Sequence, residues 1–277
     1  EAVSVIDEQF NIALPPLNIL AVDDVPQNLG LLQVMLGGLG HTITSARNGA
    51  EAVEIFRQQQ FDIVLMDVQM PVMNGLEASQ FIRLLETQKG LTPTPIIAFS
   101  ASVLEADIKA AKLAGMDGFA HKPIDLLRLS QEIARLLKIE IPVLESATHT
   151  QIAQQLSGSV IDWSRGQNLW GSEQRHREAI RQFLGSFRDS VPRLRTLLNQ
   201  PTDFAALVHK LKGAAGNLAL SRVCNICTTI ETELSTKTLE EIKPTLDQLA
   251  DELMNVTETL GEFESKIMPS EAISKPV

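Results

Sequence analysis

The chain has 277 residues, of which 44% are hydrophobic and 21% are charged, and this mixture is typical of a globular protein rather than a disordered one. Its 24 basic and 34 acidic side chains give a formal net charge of -10, which argues against binding nucleic acid through a basic surface. The two Cys favour a reducing compartment, and no apolar run approaches the roughly 18 to 20 residues that a membrane span requires.

Residues 17–138 alternate between short apolar runs and longer segments of helical periodicity. The runs predict strands at Asn18–Val22, His41–Ala46, Phe61–Asp67, Pro95–Ser100 and Asp117–His121. Helices are predicted near 26–38, 48–60, 75–87, 103–115 and 125–138. Five strand–helix alternations indicate an α/β domain in which helices cover both faces of a parallel sheet.

The rest of the chain has no strand pattern. Residues 139–160 are polar and predict a linker, with a short helical piece at Gln151–Leu156. Residues 161–267 predict an all-α bundle, because only short connections separate its helices. Those helices are expected near 173–186, 189–199, 203–219, 221–235 and 239–264. We assign 1–16 to an N-terminal linker and 268–277 to a flexible tail. Because the chain begins at Glu1 rather than Met, we expect a longer parent protein.

Polar residues follow four of the five predicted strands. Asp23 and Asp24 follow the first strand, Asp67 ends the third, Ser100 ends the fourth and Lys122 follows the fifth. The carboxyl ends of parallel strands share one edge of a sheet, so these side chains should converge. Each residue alone would be an ordinary loop or cap residue, but all five together favour a site.

Three convergent carboxylates need a compensating cation, and Mg²⁺ suits oxygen ligands and phosphate groups. Lys122 would supply a second cation and Ser100 a hydrogen bond to phosphoryl oxygens. One carboxylate would attack phosphorus and form an acyl phosphate. Asp67 is the best candidate for this nucleophile, because Asp23 and Asp24 are placed to hold the metal.

The segment 17–138 resembles a response-regulator receiver domain. The motifs that carry the resemblance are Val22-Asp23-Asp24, the run from Asp67 to Gly75, Ala98-Phe99-Ser100-Ala101 and Lys122-Pro123. The resemblance implies a flavodoxin-like five-stranded sheet of order 2-1-3-4-5 and phosphorylation of Asp67. It also implies a switch in which Ser100 moves toward the phosphoryl group and Phe119 reorients. Tyr is frequent in the family at the position of Phe119, so a switching hydrogen bond from that hydroxyl is lost here.

The same resemblance implies a set of magnesium ligands. Asp24, Asp67 and the backbone carbonyl of Gln69 would bind the ion directly, and Asp23 would bind it through water.

A second candidate site lies on the predicted helix over 203–219. On a helical wheel, the large apolar side chains lie about 140° to 200° from His209, while Lys212, Gly213 and Gly216 lie within about 60° of it. We therefore expect His209 to face solvent beside a cation. The two glycines weaken a helix, and close packing of helices would explain them. Their expected position on the exposed face favours close approach of another protein instead.

An exposed imidazole can accept a phosphoryl group, and Lys212 would stabilise the added charge. The segment from His209 to Asn217 resembles the signature of histidine-containing phosphotransfer (HPt) domains. This resemblance covers 161–267 and implies a four-helix bundle with His209 as the phosphorylated residue. Residues 161–222 hold 10 basic and 5 acidic side chains, which favours an acidic, phosphate-bearing partner.

A receiver followed by an HPt domain is similar to the C-terminal part of a hybrid sensor histidine kinase. The expected function is a phosphorelay module that transfers a phosphoryl group between Asp67 and His209 and then to a separate response regulator. An upstream kinase domain would load Asp67, since neither a G-x-G-x-x-G nor a P-loop motif occurs in this chain. We expect a cytoplasmic location, no contact with nucleic acid or membrane, and an anchor, if any, upstream. Two alternatives stay open: a phosphorylation-gated adaptor, and a reverse route that drains phosphate from a regulator.

Overall fold

The computed structural model describes residues 14–100, 105–140, 159–238 and 240–267. Its contacts divide the chain into two compact units, and the division falls within helix α6 (Trp163–Trp170). The predicted N-terminal linker up to residue 13, most of the predicted linker over 139–160 with its helical piece, and the predicted tail lie outside the described residues.

The first unit is built on a five-stranded parallel sheet. Its strands are β1 (Asn18–Val22), β2 (Thr42–Ala46), β3 (Ile63–Asp67), β4 (Ile96–Ser100) and β5 (Gly118–His121). Their order in the sheet is β2-β1-β3-β4-β5, and every neighbouring pair is parallel. The predicted strands and the predicted order are confirmed. Every residue of β3 is buried, as its nearly continuous apolar run indicated.

Helices follow each of the five strands. They are α1 (Pro26–Gly37), α2 (Gly49–Gln58), α3 (Gly75–Lys89), α4 (Glu105–Leu113) and α5 (Leu126–Leu137). The predicted helices agree with these bounds to within two residues. The start predicted for the fourth helix at 103 lies outside the described residues.

The core of this unit lies between the sheet and its helices. On one side, Leu20, Met66 and Ile96 of the strands pack in one cluster with Ile82 of α3 and Phe56 of α2. A core built by three adjacent strands fixes their register, and it thereby fixes which side chains meet at the carboxyl edge of the sheet.

The second unit is entirely helical within the described residues. It contains α7 (Glu173–Phe187), α8 (Ser190–Thr196), a 3₁₀ turn (Leu197–Asn199), α9 (Pro201–Asn217), α10 (Ser221–Glu233) and α11 (Lys243–Ile267). The continuous helix predicted over 189–199 is wrong in its last turn, which is 3₁₀. Helix α6 was not predicted as a separate element. Helix α9 starts two residues earlier than predicted, because Pro201 fits the first turn of a helix.

The helices of the second unit pack against one another around α9 and α11. Helix α9 packs against α8 and α10, and α11 packs against α7, α8 and α10. Among the described residues, no helix combines the length and apolar character needed to span a membrane.

Candidate functional site

Three carboxylates meet at the carboxyl edge of the sheet. Asp23 and Asp24 directly follow β1, Asp67 is the last residue of β3, and these two strands are neighbours. One carboxylate oxygen from each residue lies within 4.8 Å of the others. The convergence predicted for these residues is confirmed. Asp23 and Asp67 are buried, whereas Asp24 is partly exposed.

Lys122 links two of the three acids. Its Nζ lies 2.7 Å from an oxygen of Asp23 and 2.8 Å from an oxygen of Asp67, and only 6% of its side chain is exposed. Burial alone would lower the pKa of Lys122, but the charges of Asp23 and Asp67 raise it above its ordinary value. The backbone N–H of Lys122 donates to the carbonyl of Ser100 at 2.9 Å, which ties it to the end of β4.

Asp67 is a carboxylate in a poorly solvated position. Burial raises its pKa to about 6, the charge of Lys122 opposes this rise, and the charge of Asp23 adds to it. Its Oδ2 faces Lys122, while its Oδ1 accepts a long hydrogen bond of 3.3 Å from the N–H of Gln69. Among the described residues, Asp67 therefore keeps one oxygen, Oδ1, largely free of strong donors.

The loop between β3 and α3 approaches Asp67 closely. A Cβ at Gly75 would lie 2.1 Å from the backbone oxygen of Asp67, so only glycine fits there. The N–H of Gly75 donates to the carbonyl of Val68 at 3.0 Å. Asn74 and Glu77 form a capping box that starts α3 at this point. The helix start therefore holds the loop that contains Gln69.

The two predicted switch residues lie on neighbouring strands. Ser100 ends β4 and is partly exposed, and Phe119 lies on β5. The ring of Phe119 is half-buried against the core cluster, and its backbone N–H donates to Glu132 of α5.

His209 lies in the middle of α9, and 17% of its side chain is exposed. The prediction that His209 faces solvent is met in part, because the side chain is partly exposed and is not enclosed in the core. Its Nδ1 is 3.1 Å from Oε1 of Glu231 on α10, and Oε2 of Glu231 is 2.6 Å from Nζ of Lys212. Helix α10 packs along α9, which brings Glu231 to the ring.

Glu231 therefore joins the two residues that the sequence had already singled out. Burial alone would raise the pKa of Glu231, but hydrogen bonds from His209 and Lys212 hold it below its ordinary value. A carboxylate at Nδ1 favours the tautomer whose hydrogen lies on that nitrogen, which leaves the lone pair on Nε2. Glu231 is 22 residues from His209 in the chain, and no sequence spacing indicated the contact.

Gly213 and Gly216 are both buried, so the prediction that they lie on an exposed docking face is wrong. All residues from 213 to 220 are buried because several elements surround the end of α9. One of them is His176 of α7, whose Nε2 lies 2.7 Å from the carbonyl of Leu218. Their burial favours the alternative considered from the sequence, which is close packing inside the helical unit.

Residues 19–134 match the family described as response regulator receiver domain, and residues 178–259 match the Hpt domain family. The chain belongs to the two-component phosphorelay proteins. Its relatives include the signal transduction histidine-protein kinase BarA of Escherichia coli (strain K12), which is 30% identical over 250 residues. That match covers 87% of this chain and 26% of BarA, so the chain spans about a quarter of the relative's length.

Two further relatives match shorter parts of the chain. The sensor histidine kinase GacS of Pseudomonas protegens is 37% identical over 117 residues, which covers 42% of this chain and 13% of GacS. Among solved structures, the receiver domain of sensor histidine kinase PA1611 from Pseudomonas aeruginosa has magnesium coordinated in its active site cleft. It is 32% identical, covers 45% of this chain and 99% of its own, and has a TM-score of 0.41.

The acid cluster of the receiver domain fits a hard divalent cation. It offers three carboxylates against the single positive charge of Lys122, which leaves an excess of negative charge. Partly exposed Asp24 can reach such an ion from the solvent side, and carboxylate oxygens are the ligands that Mg²⁺ prefers. Among the residues that the structure describes, this is the one cluster of three or more acids, Cys or His close enough to bind a metal.

The sequence interpretation missed two residues of these sites, Glu231 of the Hpt domain and Asn28 of the receiver domain. Asn28 donates from Nδ2 to both carboxylate oxygens of Asp23, at 3.0 Å each. A polar residue among the apolar positions of α1 was the only signal available for Asn28.

Proposed function

We propose that this phosphorelay module transfers a phosphoryl group between Asp67 of the receiver domain and His209 of the Hpt domain. The observation that carries the proposal is the pairing of two complementary groups in one chain. One is a carboxylate beside a buried cation, and the other is a partly exposed imidazole whose Nδ1 meets a carboxylate. A histidine of an upstream kinase domain would load Asp67, and a separate response regulator would receive the group from His209.

In this transfer the lone pair on Nε2 of His209 attacks phosphorus, the new P–N bond forms and the P–O bond to Asp67 breaks. Asp67 leaves as a carboxylate, whose charge Lys122 stabilises through the contact of 2.8 Å. The hydrogen on Nδ1 stays with His209 and is held by Glu231. The reverse transfer uses the same groups in the opposite order.

Asp24, Asp67 and the backbone carbonyl of Gln69 would hold Mg²⁺, with Asp23 acting through water. The ion would neutralise charge on the phosphoryl oxygens. On the protein side, Ser100 would donate a hydrogen bond to the phosphoryl group, and Phe119 on the neighbouring strand would reorient with it. Lys212 would stabilise the phosphoryl group on His209. The proposed limits of the two parts are 17–138 for the receiver domain and 161–267 for the Hpt domain.

The test is incubation of the whole chain with radiolabelled acetyl phosphate and Mg²⁺. We expect acid-stable label on Asp67 and acid-labile label on His209. Asp67→Asn should abolish both labels, whereas His209→Gln should abolish the acid-labile label alone. Asp107→Asn, which changes an exposed aspartate on α4, is the matched control and should label like the unchanged chain.

Two outcomes would contradict the proposal. Label on Asp67 without any on His209 would support the phosphorylation-gated adaptor instead. Acid-labile label that persists in Asp67→Asn would show that His209 takes the group directly from acetyl phosphate. Adding a labelled response regulator to the unlabelled chain reports the reverse route, in which label passes through His209 to Asp67 and is released as phosphate.

A further inference from the structure

Both oxygens of the Asp23 carboxylate accept hydrogen bonds from protein groups. Its Oδ1 accepts from the backbone N–H of Val25 at 2.9 Å and from Asn28 at 3.0 Å. Its Oδ2 accepts from Asn28 at 3.0 Å and from Lys122 at 2.7 Å. A carboxylate offers about four lone-pair directions, and these four bonds occupy about that number, which leaves little room for a direct bond to a cation.

Asn28 is the third residue of α1, and only 1% of it is exposed. Burial of its amide costs free energy unless the amide is hydrogen-bonded. Both bonds from its Nδ2 go to Asp23. A purely structural role would be to tie the start of α1 to the end of β1, where the preceding Val25 has no side chain that can cap the helix.

A purely structural role for Asn28 does not account for its bond to the second oxygen of Asp23. Asn28 shares this oxygen with Lys122, and the same ammonium bridges to Asp67. The orientation that Asn28 imposes on Asp23 is therefore passed to the cation beside the proposed phosphoryl acceptor. It also leaves Asp24 and Asp67 as the carboxylates that can bind a cation directly.

We propose that Asn28 is a positioning residue of the receiver site. It holds Asp23 in the orientation that keeps Lys122 between Asp23 and Asp67 and that restricts Asp23 to contact with Mg²⁺ through water. This inference rests on the proposed function for the identity of the cation and of the acceptor. The amide acts through Asp23 and touches neither the metal nor the phosphoryl group.

The test uses Asn28→Leu in the whole chain, because Leu fills nearly the same volume without a donor. We expect its magnesium dissociation constant, measured by isothermal titration calorimetry, to rise about tenfold, as is usual when a residue that orients a metal-site ligand is lost. Phosphorylation of Asp67 by acetyl phosphate should slow by a similar factor at saturating Mg²⁺. Asn28→Gln keeps the donor and should restore part of the magnesium affinity.

The control is Leu32→Ala, which removes a buried side chain one turn further along α1. It should lower the unfolding midpoint while leaving the magnesium dissociation constant unchanged, so it separates lost stability from lost positioning. If Asn28→Leu does not fold, Asn28→Ser takes its place with the same expectation, because its hydroxyl is too short to reach both oxygens.

The proposal is overturned if Asn28→Leu binds Mg²⁺ like the unchanged chain, or if Leu32→Ala weakens binding equally. It is also overturned if the unchanged chain binds no Mg²⁺. If the unchanged chain binds Mg²⁺ but acetyl phosphate does not label Asp67, the proposed function fails. The calorimetric comparison then still decides the role of Asn28.

Discussion

Glu231 contacts both groups that the Hpt site presents, the imidazole of His209 and the ammonium of Lys212. Lys212 is therefore already paired before any phosphoryl group arrives. A phosphoryl group on His209 would bring about two negative charges and compete with Glu231 for this ammonium. At the scale of single residues, the Hpt site thus consists of three interacting side chains, His209, Lys212 and Glu231, rather than one exposed histidine.

Replacing Glu231 by Ala removes the acceptor at Nδ1 of His209 and the partner of Lys212. We expect transfer from phosphorylated Asp67 to His209 to slow by about 10- to 100-fold, the usual effect of losing a carboxylate that orients a functional imidazole. Rapid-quench measurement of label on His209 gives the rate. Glu258→Ala, on an exposed position of α11, should transfer at the unchanged rate. Equal rates in Glu231→Ala and the unchanged chain would show that the contact has no part in transfer.

His176 gives the Hpt domain a pH dependence that is separate from transfer. Its Nε2 donates to the carbonyl of Leu218, and its Nδ1 is buried without a hydrogen-bond partner. Burial lowers the pKa of His176 below its ordinary value of 6.5, although the Leu218 contact and the charges of Asp162 and Glu173 oppose this. Below pH 6.5 the unfolded chain therefore binds a proton that the folded chain resists.

The free energy of unfolding of the helical unit should therefore fall as the pH drops through the range just below 6.5. Urea unfolding at pH 7.5 and pH 5.5, monitored through hydrogen exchange of peptides from α7 and α9, measures how the free energy of unfolding depends on pH. His176→Gln keeps a donor for the carbonyl of Leu218 without a titrating group, and it should flatten the slope. A slope of opposite sign would contradict the burial argument.

At the scale of an element, the loop between β3 and α3 contains a strained backbone conformation at Val72. Val72 has a φ of 71°, and the N–H of Met73 donates to the carbonyl of Pro71 at 2.9 Å. This is a γ-turn with positive φ, a rare and strained form, and a β-branched residue makes it less favourable still. The side chain of Val72 is 86% exposed, so packing does not compensate for the strain. The strain lies three residues from Gln69, beside the proposed metal site.

Val72→Gly should stabilise the receiver domain by about 1 kcal/mol, because relief of a strained backbone exceeds the entropy cost of Gly. Chemical unfolding followed by far-UV circular dichroism measures the change. Val72→Ala still has a Cβ at positive φ and should gain less. A Val72→Gly variant that is less stable than the unchanged chain would mean that the loop holds this residue through contacts rather than under strain.

At the scale of the whole molecule, the acid cluster that could hold a cation belongs to one unit alone. Asp23, Asp24, Asp67 and Lys122 all lie in the receiver domain, whereas His209 and Glu231 lie in the helical unit. A ligand that binds only the folded form of one unit stabilises that unit by mass action.

Mg²⁺ at about 100 times its dissociation constant should stabilise the receiver domain by about 2.7 kcal/mol. Hydrogen exchange on the whole chain should show slower exchange in peptides of β1 and β3, with no change in peptides of α9 and α10. Asp24→Asn should lose this protection because it removes a proposed direct ligand. Equal protection of both units would show that the ion acts elsewhere or that the units are energetically coupled.

The sequence by itself determined the strands and helices of the first unit and the polar residues at the strand ends, because strand and helix periodicities are local properties. The strand order was implied by the resemblance to receiver domains, and the adjacency of β1 and β3 is what brings Asp23 and Asp67 together. Even the all-helical character of the second part followed from local patterns, apart from α6 and the 3₁₀ turn after α8.

Only the tertiary structure decided what surrounds those residues. A helical wheel assumes one buried side, but α9 packs against both α8 and α10, and the carbonyl of Leu218 just beyond its end meets His176. Gly213 and Gly216 are buried within the helical unit, contrary to the wheel. Asn28 contacts Asp23 across the short connection between β1 and α1, only five residues along the chain. Glu231 reaches His209, 22 residues away, because α10 packs along α9, and this contact depends on the relative placement of two helices, which no local pattern encodes.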